Sequence, residues 1–150
     1  MKFKSSSPKQ TRFFAARLAK KITHAFFFRK GGGALVLGLV GDLGSGKTTF
    51  VQSFAAALNI KRRLLSPTFL LMRNYPINKF FYKKVFHVDL YRIKKSSELL
   101  PLNFRAVLKN QTHIVLIEWA DRIKKILPKN TIKLEFRHGR TPNERIISIK

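Results

Sequence analysis

The sequence contains no cysteine, which excludes a disulfide framework and any metal site built from thiolates. No apolar run approaches the roughly 18 residues that a membrane-spanning helix needs. Residues 1–8 are basic and then polar, without the apolar segment and cleavage site of a secretory signal peptide. We therefore expect a cytoplasmic protein with no membrane association.

Acidic side chains are scarce: 7 Asp and Glu residues stand against 31 Lys and Arg residues, and the net charge is +24. The carboxylates are Asp42, Asp89, Glu98, Glu118, Asp121, Glu135 and Glu144. The positive excess favours nonspecific adhesion to RNA. A compositional bias toward lysine would also produce it, so a functional RNA contact stays an open alternative. In so basic a chain, each carboxylate that ends an apolar run is a candidate site residue.

The most informative motif is Gly41-Asp42-Leu43-Gly44-Ser45-Gly46-Lys47-Thr48, which matches the G-x-x-x-x-G-K-[ST] pattern of phosphate-binding loops. An apolar segment precedes it at 34–40, and apolar residues at helical spacing follow it at 50–58. A strand, a glycine loop and a helix in this order direct backbone N–H groups toward a polyphosphate. The alternative, a simple glycine turn, does not explain why a lysine begins a helix, where the dipole disfavours cations.

Each part of this loop has an expected role toward a nucleotide. The glycines let the backbone approach the phosphates closely, Lys47 supplies a charge for the β- and γ-phosphates, and Thr48 supplies a hydroxyl for Mg²⁺. The expected nucleotide-binding residues are Gly41, Asp42, Leu43, Gly44, Ser45, Gly46, Lys47, Thr48 and Thr49.

Short apolar strands alternate with helical patterns through the rest of the chain. We predict strands at 34–40, 70–75, 85–89, 113–117, 131–137 and 145–149, helices at 10–29, 50–58, 96–100, 103–108 and 122–127, and a turn with a charged approach at 76–84. The pattern predicts an α/β, P-loop NTPase-like fold with a mostly parallel central sheet, flanking helices and antiparallel C-terminal strands. We expect a flexible basic tail at 1–8 and a single P-loop ATPase domain at 9–150.

Two carboxylates, Asp89 and Glu118, end apolar strands. Ligands of such folds lie at the carboxyl ends of the strands, so both should lie beside the loop. Mg²⁺ prefers oxygen ligands, and one carboxylate can hold the metal while the other orients the attacking water. The spacing leaves open which does which, and a surface acid that caps the next helix is the alternative. We expect Lys47, Asp89 and Glu118 to be catalytic.

Other residues near these strands have two interpretations each. Ser66-Pro67-Thr68 is either a switch segment that approaches the γ-phosphate or an ordinary proline turn. His87 is interpreted as a satisfied core histidine. Arg92 is a candidate for stabilising developing charge, which a partner could equally supply, and Trp119 is either a packing anchor or a contact near the nucleotide.

These segments together resemble the bacterial TsaE family of ATPases in tRNA threonylcarbamoyladenosine biosynthesis. The matching segments are Gly-Asp-Leu-Gly-Ser-Gly-Lys-Thr-Thr at 41–49, Ser-Pro-Thr-Phe at 66–69, His-Val-Asp-Leu-Tyr-Arg at 87–92 and Glu-Trp at 118–119. They follow the order of that family, and the resemblance spans about 10–150. Ser45 stands where alanine is usual, and the chain is more basic than expected of the family.

The resemblance implies a protein that binds ATP and Mg²⁺ and acts with the partner proteins TsaB and TsaD. That complex modifies the adenosine next to the anticodon in tRNAs that read codons beginning with adenine. The ATPase would be weak alone and stimulated by its partners. It would regulate or reset the transferase without transferring the group itself, and would meet tRNA indirectly.

The resemblance also implies roles for single residues. Asp89 matches the Walker B-type aspartate, and Glu118 matches the metal-linked glutamate that would join Thr48 at Mg²⁺. Thr11 falls where the family often has a threonine near the nucleotide.

Two other functions compete with this interpretation. A small P-loop kinase acting on a metabolite or nucleotide would need an acceptor-binding lid, whereas the segments between the predicted strands are short. A basic RNA-binding module would use the loop only as a structural turn.

Overall fold

The structure is a computed structural model that describes residues 1–27, 32–61, 63–64, 70–79 and 81–150. The strands are β1 (Lys2–Ser5), β2 (Leu35–Val40), β3 (Met72–Lys79), β4 (Tyr82–Asp89), β5 (His113–Glu118), β6 (Ile132–His138) and β7 (Arg145–Ile149). The α-helices are α1 (Pro8–Phe27), α2 (Lys47–Ala57) and α3 (Phe104–Lys109), and 3-10 helices span Ser96–Leu102 and Ala120–Ile123.

The strands form a 7-stranded sheet in the order β1-β7-β6-β2-β5-β4-β3. Its centre is parallel, because β2 pairs in parallel with β5 and β6, and β4 pairs in parallel with β5. The outer pairs are antiparallel at both edges, so the sheet as a whole is mixed. The predicted α/β, P-loop NTPase-like fold is confirmed.

Both faces of the sheet are covered, which explains why the central strands are almost entirely apolar. On one face, α1 and α2 pack against the sheet, with Phe50 and Phe54 fully buried. On the other face, α3 and the two 3-10 helices enclose a second apolar cluster around Leu99, Phe104 and Ile117. The parallel strands therefore direct their carboxyl ends toward a common edge, where the loop before α2 lies.

The prediction of a flexible tail at 1–8 is wrong for residues Lys2–Ser5, which form strand β1. Residues Lys2–Ser5 pair antiparallel with β7, and α1 already begins at Pro8. The ring of Phe3 stacks on Phe14 at 4.3 Å, and Lys4 Nζ lies 3.0 Å from the carboxylate of Glu144. The strand was missed because only one of its side chains is apolar. Its alternation of exposed lysines with inward Phe3 and Ser5 is too short to stand out.

The prediction of a turn at 76–84 is also wrong, because β3 and β4 form a long antiparallel hairpin there. Pro76 lies within β3, which is an edge strand, and the register shifts between Pro76 and Lys79. Edge strands and bulges are the places where a sheet tolerates proline.

The helices predicted at 96–100 and 122–127 are 3-10 helices with shifted bounds. Within the ranges described above, no helix combines the length and apolar character needed to cross a membrane.

Tyr82, at the start of β4, gives a test of the core. It is 1% exposed, and burial raises the pKa of its phenol to about 12. A raised pKa means that the folded state favours the neutral phenol. Its stabilising contribution is therefore complete below the unfolded pKa of about 10 and is lost as pH rises through the folded value. In a spectrophotometric titration, Tyr82→Phe should remove a late phase that Tyr91→Phe leaves in place. Persistence of that phase in Tyr82→Phe would contradict the assignment.

Candidate functional site

The loop from Gly41 to Gly46 adopts a backbone that requires glycine. Gly41, Gly44 and Gly46 have φ angles of 145°, 72° and 99°, in the region that side chains disfavour. A Cβ on Gly41 would also collide with the carbonyl of Phe136 in β6. Gly46 is the N-cap of α2, and no side chain caps the helix there. The N–H groups of this first turn therefore have no side-chain cap, which leaves them available to an anion.

Lys47 is folded back onto the loop. Its Nζ donates to the carbonyls of Gly41 at 2.7 Å and Asp42 at 2.8 Å, and the residue is 4% exposed. The ammonium also lies 4.0 Å from the ring centroid of Trp119. Burial lowers the pKa of Lys47, and the nearby carboxylates, led by Glu118 and Asp89, oppose that shift. The loop thus holds a partly desolvated cation, which an anionic phosphate would stabilise.

A chain of hydrogen bonds joins the start of α2 to two strands. The hydroxyl of Thr48 donates to Glu118 Oε2 at 2.8 Å, and the other oxygen, Oε1, lies 3.0 Å from His87 Nε2. Because an ionised carboxylate only accepts, the imidazole donates from Nε2. The buried Nδ1 of His87 has no hydrogen-bond partner among the described residues. His87 is thus a core histidine, as interpreted, but only one of its ring nitrogens is satisfied, and that nitrogen orients Glu118.

The two strand-ending carboxylates lie side by side, as predicted. Asp89 is the register partner of Glu118 across β4 and β5, and Glu118 is in turn the partner of Leu39 in β2. Glu118 is 3% exposed, whereas Asp89 is half-buried and accepts a hydrogen bond from the Tyr91 N–H at 3.0 Å. The structure thus brings Lys47, Thr48 and Glu118 together, with Asp89 on the neighbouring strand.

Thr11 lies in the first turns of α1. Its hydroxyl is 2.8 Å from the hydroxyl of Ser5, and the residue is buried. A contact of Thr11 with a nucleotide stays a prediction, and so does the role of Arg92. Residues 66–68 lie outside the described residues, and the switch hypothesis for them likewise stays a prediction.

Trp119 is more than a packing anchor. It has a positive φ of 59° directly after β5, a conformation that costs energy for a side chain of this size. This turn places the indole against Lys47, while the ring of Tyr91 lies 5.1 Å away, centroid to centroid. The aromatic pair therefore forms one wall of the site beside the lysine.

Two residues of the C-terminal hairpin were missed by sequence reasoning. His138 Nε2 lies 3.3 Å from the carbonyl of Leu43, and the Arg145 guanidinium donates to the carbonyl of Gly44 at 3.0 Å. Both hold the exposed part of the loop to β6 and β7. A single histidine and arginine in a basic chain form no motif, so nothing in the sequence identified them.

The donor set suits a polyphosphate with a hard cation. Thr48 and Glu118 present oxygen atoms, which Mg²⁺ prefers, and such sites take few ligands from protein and the rest from phosphate and water. Among the described residues, no group of three or more His, Asp or Glu side chains could hold a metal by itself. The residues therefore fit a metal that arrives with a nucleotide.

Known proteins match the chain over most of its length. The profile of the family described as "Threonylcarbamoyl adenosine biosynthesis protein TsaE" matches residues 5–147. The tRNA threonylcarbamoyladenosine biosynthesis protein TsaE of Bacillus subtilis is 35% identical over 134 residues, which cover 89% of this chain and 75% of that protein. The protein of the same name from Haemophilus influenzae is 32% identical over 120 residues, covering 80% and 73%.

A solved structure also resembles this chain over almost its whole length. The crystal structure of Bacillus subtilis YdiB matches with a TM-score of 0.72 and 27% identity, covering 99% of this chain and 83% of that one. The resemblance drawn from the loop and the strand-ending motifs is thus confirmed across the chain. The protein belongs to the TsaE family of tRNA threonylcarbamoyladenosine biosynthesis proteins.

Proposed function

We propose that the protein is a Mg²⁺-dependent ATPase of the cytoplasm that acts with TsaB and TsaD. In this proposal it regulates or resets their threonylcarbamoyl transferase cycle and does not transfer the group itself. The observation that carries the proposal is the hydrogen bond from Thr48 to Glu118 beside the loop-bound Lys47. It joins the phosphate loop to a strand-ending carboxylate.

ATP binding is supported by the geometry of the loop. The first turn of α2 has no acidic residue and no side-chain cap, so its N–H groups and the helix dipole favour an anion. Lys47 is already positioned by two loop carbonyls, and little ordering is needed when phosphates arrive. Positioning of this kind is the main protein contribution to phosphoryl transfer.

The metal and the water are assigned to different side chains. Thr48 and Glu118 would hold Mg²⁺, which when bound neutralises charge on the β- and γ-phosphates. His87 keeps Glu118 in place from the opposite side of the carboxylate. Asp89 is adjacent to Glu118 in the sheet and more exposed, which suits a residue that orients the attacking water.

Dependence on partners is supported by apolar side chains at the same edge. Leu43 in the loop is 72% exposed, Leu70 is 56% exposed and Tyr91 is 47% exposed. Leu70 lies at this edge because its neighbour in sequence, Leu71, accepts a hydrogen bond from the N–H of Asp89. We propose that these three side chains belong to a surface that a partner protein covers.

The test is ATP turnover with and without TsaB and TsaD. Turnover by the protein alone should be slow and should rise at least about tenfold with both partners, as when a partner completes a phosphoryl-transfer site. Asp89→Ala and Glu118→Ala should lower turnover in both conditions. Turnover that does not change when TsaB and TsaD are added would refute the partner proposal. ADP formation that requires a small acceptor and no protein would instead indicate a kinase.

The partner surface can be tested separately. Leu70→Asp should reduce the stimulation and leave the turnover of the isolated protein unchanged, because Leu70 flanks the site without belonging to it. Leu100→Asp is the matched control, since Leu100 is 67% exposed on the 3-10 helix Ser96–Leu102. Equal loss of stimulation in both variants would contradict a surface at the loop edge.

A further inference from the structure

The net positive charge of the chain is unevenly distributed, because α1 contains basic residues and no acidic ones. The first acidic residue of the whole sequence is Asp42, so α1 and β1 contain no carboxylate at all. The exposed basic residues of α1 are Lys9, Arg12, Arg17, Lys20, Lys21 and His24. Outside α1, acids do offset basic groups, as in the pairs of Glu144 with Lys4 of β1 and of Glu135 with Lys150.

The exposed side of α1 forms one continuous surface, which we call the α1 face: Phe13, Arg17, Lys20, Lys21, His24 and, from the end of β3, Lys79. Its upper part is a groove of about 300 Å³ between α1 and β1, lined by apolar and basic side chains. Its lower part is a wider depression in which basic side chains predominate. In the part of the chain that the structure describes, no carboxylate pairs with Arg17, Lys20 or Lys21.

An exposed aromatic ring lies at the edge of this charge. Phe13 is 62% exposed, and the guanidinium of Arg17 lies 5.6 Å from its ring centroid. The neighbouring Phe14, in contrast, lies on the buried face of α1 and belongs to the core. An exposed ring beside an arginine is the combination on which unpaired bases stack.

We propose that the α1 face binds tRNA, with its cations on the phosphate backbone and an unpaired base stacked on Phe13. RNA is favoured over an acidic protein segment for two reasons. The cations lie in a row without interspersed acids, which suits a continuous polyanion, and the ring offers a π-surface that a carboxylate-rich peptide does not need. Among RNAs we propose tRNA, because the proteins of this family are named for the biosynthesis of a modified nucleoside in tRNA. The site goes beyond the proposed ATPase and is built on elements other than the phosphate loop.

The experiment measures binding of a fluorescently labelled, unmodified tRNA transcript to the full chain, without nucleotide, over a range of salt concentrations. Arg17→Ala/Lys20→Ala/Lys21→Ala should weaken binding at least about tenfold and reduce the slope of log affinity against log salt by about 2, as expected for three lost phosphate contacts. The charge-matched control is Lys124→Ala/Lys125→Ala/Lys129→Ala. These lysines are also exposed and follow the 3-10 helix Ala120–Ile123, which covers the other sheet face.

A second pair of variants tests the ring. Phe13→Ala should weaken binding about tenfold with the salt slope unchanged, because no charge is lost. Leu100→Ala, which removes another exposed apolar side chain, should have no effect. Thermal melting checks the fold of each variant, and ATP turnover should stay at the wild-type level in all of them.

Three outcomes would overturn the proposal. Equal weakening by both triple variants would mean that binding follows total charge. Weakening by the control set alone would place the RNA on the opposite face. Competition by a polyglutamate peptide as effective as that by unlabelled tRNA would indicate an acidic protein as the occupant. Because ATP turnover is measured separately, a failure of the ATPase proposal would remain distinguishable from a failure of this one.

Discussion

Lys47→Ala is expected to abolish the response of the protein to nucleotide. For the wild type, ATP with Mg²⁺ at 100 times its dissociation constant should add about 2.7 kcal/mol to the free energy of unfolding. For a chain of this size that is a rise of about 8 °C in melting temperature. The variant should melt at the same temperature with and without ATP, and its turnover should fall by at least about 100-fold.

The physical reason lies in the two contacts that the ammonium makes. Its hydrogen bonds to the carbonyls of Gly41 and Asp42 hold the two ends of the loop together, and its charge belongs to the first residue of α2. Alanine removes both the charge and the support. Lys83→Ala is the matched control, because it removes one exposed lysine from β4 and should keep the full nucleotide response. A normal melting shift in Lys47→Ala would show that the loop is only a structural turn.

The loop and its carboxylates could be predicted from the sequence because their signals are local. The glycine spacing dictates the backbone of the loop, and an acid at the end of an apolar run must lie at the carboxyl edge of a parallel sheet. Asp89 and Glu118 are register partners for this reason. The order of the strands was not predicted: β2 lies between β5 and β6, and β4, which carries Asp89, is one strand further away.

Other parts of the site depend on contacts distant in sequence. His138 and Arg145 reach loop carbonyls across 95 and 101 positions, and no short pattern encodes such a pairing. His87 could not be linked to Glu118 before the registration of β4 and β5 was known. Strand β1 was missed for the same reason, since it is an edge strand that is held by the distant β7 and by Phe14 and has little apolar content of its own.

Glu118→Gln is expected to lower Mg²⁺-dependent ATP turnover by about 100- to 1,000-fold while ATP still protects against thermal unfolding. The carboxylate accepts from Thr48 on one oxygen and from His87 on the other. A glutamine has one acceptor oxygen and an NH₂ donor, so it can preserve the size and part of the network but not the charge. The variant should therefore need more Mg²⁺ for half-maximal turnover, which a magnesium titration at saturating ATP would measure.

The control for this variant is Asp121→Asn. Asp121 also contributes to the field at Lys47, but it is exposed and lies in the first turn of the next 3-10 helix. Removing its charge changes the electrostatics near the loop without removing an oxygen that contacts Thr48. Equal loss of turnover in the two variants would mean that Glu118 acts through the long-range field of its charge. A wild-type magnesium requirement in Glu118→Gln would likewise show that Glu118 does not bind the metal. A loss specific to Glu118, with an altered magnesium requirement, would place the metal between the hydroxyl of Thr48 and the end of β5.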